Sequence, residues 1–480
     1  MSVLTLWRLL HRPGAREGST DTAALAIIAF AASTTVFLTV LGGVHGFIWR
    51  ASPDHTPACL IDGRNCAPGT LAAWNLRLDN PNDPAAYASN YVMFAAFACL
   101  LLIVPFVSLA GSAARLAATR RDARLAALRL AGATTAQVSA LTALDAAGQA
   151  FVGALAGSIG YLGAMPAVML LRFQNQPFTF DQLWVGAPTL AGTIAGVIAI
   201  ALISAFATLR RVAITPLGVS ARVRRPLPAA RRALAFAGIL GVSLIAFQNI
   251  GLFAAAGAAA VYAVVFAFMF LSFAAVNAVG VWAVAMRAKG KARRPKNAAT
   301  MLAMRRILDD PKRAWRNVSG IALAVFVAGI TSVCALFAAG SANATDPATL
   351  FLRDIGTGGV LTLAFAAILA AVGSGVMQAG NALDQAGHHR TLLLEGADAA
   401  TLRRARLIET ITPLNTVVCI SAGCSMLLML PLLGAAITDP RTLGGFAAGL
   451  ALCYALTAIG TIASNRVASG IGLTDGRADD

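Results

Sequence analysis

Long apolar stretches alternate with short polar, mostly basic segments along the whole chain. Ten of them approach or exceed the ~20 residues an α-helix needs to cross a bilayer. They run over Ala23–Phe47, Tyr91–Ala114, Leu141–Leu171, Val185–Leu209, Ala233–Phe247, Phe253–Met286, Val318–Ala339, Gly356–Met377, Ile408–Leu433 and Gly444–Ala463. The pattern predicts an all-α polytopic membrane protein of about ten transmembrane helices with both termini cytoplasmic. The fifth run is the shortest, and Gln248-Asn249 follows it closely. Basic clusters lie on both sides of residues 233–286, so an even number of crossings must separate them, and a two-helix hairpin satisfies that parity. Ahead of the first run, Val3, Leu4, Leu6, Trp7, Leu9 and Leu10, with Arg8 and Arg12, predict an interfacial helix on the inner leaflet. The first run lacks a small-x-small exit and is expected to stay as an anchor.

One polar segment between apolar runs occurs twice. Leu128 to Asp145 reads LRLAGATTAQVSALTALD, and Leu392 to Glu409 reads LLLEGADAATLRRARLIE. Each copy sets leucines before Gly-Ala (Gly132-Ala133, Gly396-Ala397) and a carboxylate thirteen positions after the glycine (Asp145, Glu409). Thr134 and Asp398 occupy matching positions and suit a helix N-cap. The acids are expected at the cytoplasmic starts of their membrane helices, where a negative charge complements the helix dipole.

The halves also match at their entrances, Leu4–Pro13 against Leu302–Pro311. Pro13 to Pro311 is a shift of 298 and Gly132 to Gly396 a shift of 264. The difference of 34 approximates the excess length of the loop at 48–90 over its counterpart at 340–355, so one insertion reconciles both. The layout is then four helices (1–222), a central hairpin with basic linkers (223–296) and four more (297–480). Gly153, Gly157 and Gly160 share one face of the third helix, a spacing that lets helix backbones approach closely.

Composition supports membrane insertion: 58% of the 480 residues are hydrophobic and only 12% are charged, with mean hydropathy +0.72. The net charge of +17 could suggest nucleic acid, but the distribution argues against that reading. With the N-terminus inside, about 32 of the 38 Lys and Arg are cytoplasmic, as the positive-inside rule requires. They also face anionic membrane lipid. Cys59 and Cys66 share the first external loop, where an oxidising environment permits a disulfide; the alternative is a pair of free thiols, since a seven-residue spacing is permissive.

Catalytic chemistry is hard to find. No GxxxxGK[ST], HExxH, GxSxG or Cys-x-x-Cys occurs, and His388-His389 lacks accompanying ligands. The chain is therefore expected not to be an enzyme and to hold no metal or cofactor of its own. Without a chain of carboxylates inside the membrane, a proton-coupled secondary transporter is poorly supported.

The run Arg120–Ala133, followed by Asp145 and a glycine-rich helix, resembles the signature of FtsX-like (MacB-type) ABC transporter permeases. Arg211-Val-Ala-Ile-Thr-Pro-Leu-Gly-Val-Ser-Ala-Arg222 resembles that family's ending, and the ten-helix layout is similar to its BceB-like branch. Here only residues 340–355 stand where that branch carries a large external domain. The resemblance implies a multi-pass permease subunit of a bacterial cell (plasma) membrane, exporting a hydrophobic or amphipathic antibiotic, peptide or lipid. Hydrolysis of ATP with Mg would occur in a separate cytoplasmic ABC ATPase, in two copies. These would dock at coupling helices comprising Leu125, Leu128, Arg129, Gly132, Ala133 and Thr134, and Leu392, Leu394, Glu395, Gly396, Ala397 and Asp398. Some relatives transport nothing and relay ATPase motion to external cell-wall enzymes, which is the alternative reading.

Overall fold

A computed structural model describes residues 20–52, 90–100, 134–213, 257–316, 347–384 and 398–433, with scattered positions in 102–109, 234–254, 318–329, 395–396 and 444–458. The first part comprises α1 (Thr20–Ala51), α2 (Asn90–Leu100), α3 (Thr135–Met169), two short antiparallel strands β1 (Arg172–Phe173) and β2 (Gln176–Pro177), α4 (Phe180–Leu183) and α5 (Ala187–Ala213). The second comprises α6 (Ile250–Ala254), α7 (Ala258–Arg293), α8 (Ala298–Asp309), α9 (Pro311–Arg316), α10 (Pro347–Asp384) and α11 (Ala399–Leu433). Among the described residues, five helical stretches are long and apolar enough to cross a membrane: Ala23–Ala51, Ser139–Met169, Phe180–Phe206, Arg353–Gln378 and Ala400–Leu427. The protein is an all-α polytopic membrane protein. Exposed Ile159, Ile203, Leu252 and Phe270 are side chains that lipid can solvate.

Several helices overrun the apolar stretches that announced them. α3 begins at Thr135 and α11 at Ala399, ahead of the expected Leu141 and Ile408. Hydropathy marks where lipid contact begins. A helix continues outward for as long as its residues tolerate helical geometry, and Ala-Gln-Val-Ser-Ala and Ala-Ala-Thr-Leu-Arg-Arg do so.

α1 and α3 pack side by side and run parallel, through the glycine face. A Cβ on Gly153 would meet Phe30 Cβ at 2.5 Å, one on Gly157 would meet Ala31 O at 2.6 Å, and one on Gly160 would meet Thr35 Oγ1 at 2.5 Å. Thr35 Oγ1 donates to Gly157 O at 3.0 Å across this seam. The contact partners advance together along both helices, which fixes the parallel sense and agrees with one crossing between them.

α8 is the amphipathic helix expected before the second unit. Ala299, Ala303, Met304 and Ile307 form its buried face, packed against α7 and α11. It stops at Asp310, whose carboxylate accepts the Arg313 N–H at 3.0 Å and starts α9 with Pro311 in the first turn. The corresponding residues 4–13 lie outside the described residues.

Candidate functional site

The repeated motif ends, in both copies, in a capped helix start. Thr134 Oγ1 accepts the Gln137 N–H at 3.3 Å, while Gln137 Oε1 accepts the Thr134 N–H at 3.0 Å, a reciprocal capping box. Asp398 uses its carboxylate for the same task, accepting from Ala400 N at 3.2 Å and Thr401 N at 3.0 Å. Just before it, exposed Gly396 has φ +89° with open space around a would-be Cβ, so the glycine answers a backbone need and not a packing one. Glu395 beside it is exposed. The two caps are 264 residues apart, the shift that relates the two sequence motifs.

The carboxyl of Asp398 is held below the usual carboxylate range, chiefly by the Ala400 and Thr401 N–H groups and then by the Thr401 hydroxyl. A lowered folded-state pKa makes this cap fully present above the unfolded value of ~4. It is lost only as pH falls through the still lower folded value. Thr134→Ala should weaken the start of α3 by about 1 kcal/mol, with Thr134→Asp close to neutral. Amide hydrogen exchange at Gln137 checks this: faster exchange in the alanine variant alone is the expected result.

The acids do not stand at helix starts. Asp145 and Glu409 each lie eleven residues beyond their cap, three turns into α3 and α11. A dipole effect fades within the first turn, so the dipole reading is corrected for both. Glu409 is instead a tie between elements. Its Oε2 lies 3.8 Å from Arg306 Nη1, joining α8 to α11, with Arg313 and Arg406 close enough to act on its charge. Asp145, at the matching depth, is half-buried.

Both caps lie at the same end of the bundle. α1 and α3 are parallel, so Thr134 sits at the end where α1 begins. α10 begins at the opposite end, where Leu350 and Asp354 join residues around the end of α1. Ala370, about 24 Å further along α10 at ~1.5 Å per residue, packs on Gly320 beside the α8–α9 elbow. Glu409 ties α11 to that elbow, which places Asp398 at the same end as Thr134. Leu125, Leu128, Arg129, Gly132, Ala133, Leu392, Leu394 and Ala397 lie outside the described residues, as do Cys59 and Cys66.

At the other end is a polar cluster that sequence reasoning missed. Arg50, the penultimate residue of α1, is only 1% exposed. It donates to Phe173 O at 2.7 Å, Pro177 O at 2.8 Å and Gln182 Oε1 at 3.0 Å, with longer bonds to Gln174 Oε1 and Gln176 O at 3.4 Å. Its guanidinium also stacks 4.2 Å from the Phe178 ring centroid. One arginine thus organises the whole β1–β2–α4 segment. Gln174 and Asn175 form the tight turn with φ of 54° and 57°, the two-residue geometry that matches strand twist.

The same segment reaches the second half of the chain. Asp354 Oδ2 accepts from Gln174 N and from the Tyr91 hydroxyl, both at 2.6 Å. Tyr91 and Gln174 belong to the first half and Asp354 to α10. Rings of Phe47, Tyr91, Phe173, Phe178 and Phe351 pack around this junction at centroid distances of 5.3 to 5.6 Å. Tyr161 fastens α3 to the same cap, donating to Leu183 O at 2.5 Å and accepting from Val185 N at 3.3 Å. The result is a largely buried clasp between halves. The available sequence signal was an arginine and an aspartate, each at the edge of an apolar run.

Among the described residues, no group of three or more His, Cys, Asp and Glu could hold a metal ion. No family model, no curated protein and no solved structure matches this chain.

Proposed function

We propose that this chain is the permease subunit of an ATP-driven transporter, worked by a separate cytoplasmic ABC ATPase bound in two copies. The observation that carries the reading is the pair of capped helix starts, one per repeat, standing at one end of the bundle. Each begins a continuous helix that passes from the polar motif into the apolar core. A push on the motif would therefore move a rigid rod, and closure of two ATPase subunits would move two such rods together. The clasp at Arg50 and Asp354 would act as the fulcrum, keeping the far ends joined while the near ends change spacing. The FtsX-like resemblance supports the same assignment and suggests export of a hydrophobic or amphipathic compound across a bacterial cell membrane.

The test is co-purification of the full chain with its candidate ATPase, paired with Leu128→Asp, Leu394→Asp and the double variant. Each single change should reduce ATPase recovery and the double change should abolish it. A complex indifferent to both motifs would overturn the proposal. If a complex forms and ATP turnover proceeds while no compound is moved in reconstituted vesicles, the mechanotransmitter reading takes its place.

A further inference from the structure

Among the described residues, a junction of α7, α8, α9 and α11 gathers more positive charge than Glu409 and the elbow acids Asp309 and Asp310 can balance. Arg306 on α8, Arg313 on α9 and Arg406 on α11 all act on Glu409. One turn further along α11, Lys291 Nζ of α7 donates to Thr412 Oγ1 at 3.3 Å, and Arg287 to Thr416 Oγ1 at 3.5 Å. The threonine side chains are buried, so the two cations lie over the mouth of a polar seam between α7 and α11. Nη1 of Arg306 is shielded from solvent and, among the described residues, has no acceptor within hydrogen-bond distance, Glu409 Oε2 lying 3.8 Å away. Mutual repulsion adds to burial in lowering the pKa of Lys291, its neighbours Arg287 and Lys296 being the cause after desolvation.

An ordinary basic surface is solvated, and its charges cost little. Here three guanidiniums converge on Glu409 in a helix junction, and positive charge exceeds negative among the described residues there. The apolar run of α11 starts at Ile408, after Arg403, Arg404 and Arg406, so the cluster falls where that run meets polar sequence, the position expected for lipid headgroups. We propose that this junction binds the phosphodiester of an anionic phospholipid, with Arg306 and Arg313 as its principal donors and Lys291 at the rim. Planar guanidiniums suit a phosphodiester because two parallel N–H groups can meet two of its oxygens. The acyl chains would lie along α7 on the side where Leu271 and Met286 are exposed. A lipid held there would bridge the elbow to the rod that carries Asp398. It requires neither an ATPase nor a transported compound, so it stands or falls separately from the permease assignment.

The full chain, delipidated in neutral detergent, would be titrated with phosphatidylglycerol and with phosphatidylcholine while lipid-bound species are counted by native mass spectrometry. Phosphatidylglycerol should be retained preferentially, and Arg306→Gln or Arg313→Gln should weaken its binding about tenfold. Lys289→Gln, on the exposed end of α7, should leave it unchanged. If either arginine variant does not fold, added salt on the wild-type chain provides the second reading, since the preference should decline as charge is screened. Equal retention of the two lipids, or variants that bind as wild type, would overturn the proposal. So would full displacement by millimolar inorganic phosphate, which would mark a free-anion site instead.

Discussion

Replacing Arg50 with alanine should cost about 2–4 kcal/mol of stability, since several hydrogen bonds to one buried charged donor are lost together. The side chain is almost fully buried and feeds backbone carbonyls of Phe173, Gln176 and Pro177. Those carbonyls lie in a segment with only two two-residue strands and one helical turn of its own. Without the guanidinium the buried Phe173 carbonyl would lose its donor, and an unsatisfied buried acceptor costs ~1–3 kcal/mol. Lysine should not rescue, because one ammonium cannot span acceptors on both sides of the fork. Arg172→Ala is the control, being exposed on the same hairpin. Melting of the detergent-solubilised protein and proteolysis within 172–183 give the readings. An Arg50→Ala protein that melts and resists cleavage like wild type would remove the clasp from the account.

The difference between Arg50 and the repeated motif explains what could be read in advance. The motif was visible because residue identity carries it: Gly396 supplies a positive φ, and Thr134 and Asp398 supply side-chain oxygens for capping. The glycine face was visible for the same reason, since only absent side chains permit the seam between α1 and α3. Arg50 mostly binds backbone carbonyls, which every residue owns, so no sequence pattern announces its partners. Asp354 meets Tyr91 across 263 positions, a pairing that only the tertiary fold creates. Hydropathy puts the acids at helix starts because it dates the start of lipid contact, whereas hydrogen bonding starts both helices earlier.

Gly157→Leu should be the most damaging single change within the apolar interior, with Gly157→Ala already costing about 1–3 kcal/mol through overpacking. The obstacle is backbone: an added Cβ would sit 2.6 Å from Ala31 O and 2.6 Å from Thr34 Cβ. Neither atom can rotate away as the end of a flexible side chain would, so α1 and α3 must separate. Separation would also break the Thr35 hydroxyl bond to Gly157 O, leaving a donor and an acceptor unpaired in an apolar setting. Gly163 lies on the same helix with open space around it, so Gly163→Leu should fold and melt normally. If Gly157→Leu also melted normally, the parallel α1–α3 pair would not be a close-packed unit. A disulfide between cysteines placed at Thr35 and Gly160 then offers a direct check. If the pair moves as one body, oxidation should leave the proposed transport intact, and if the two helices slide past each other it should arrest it.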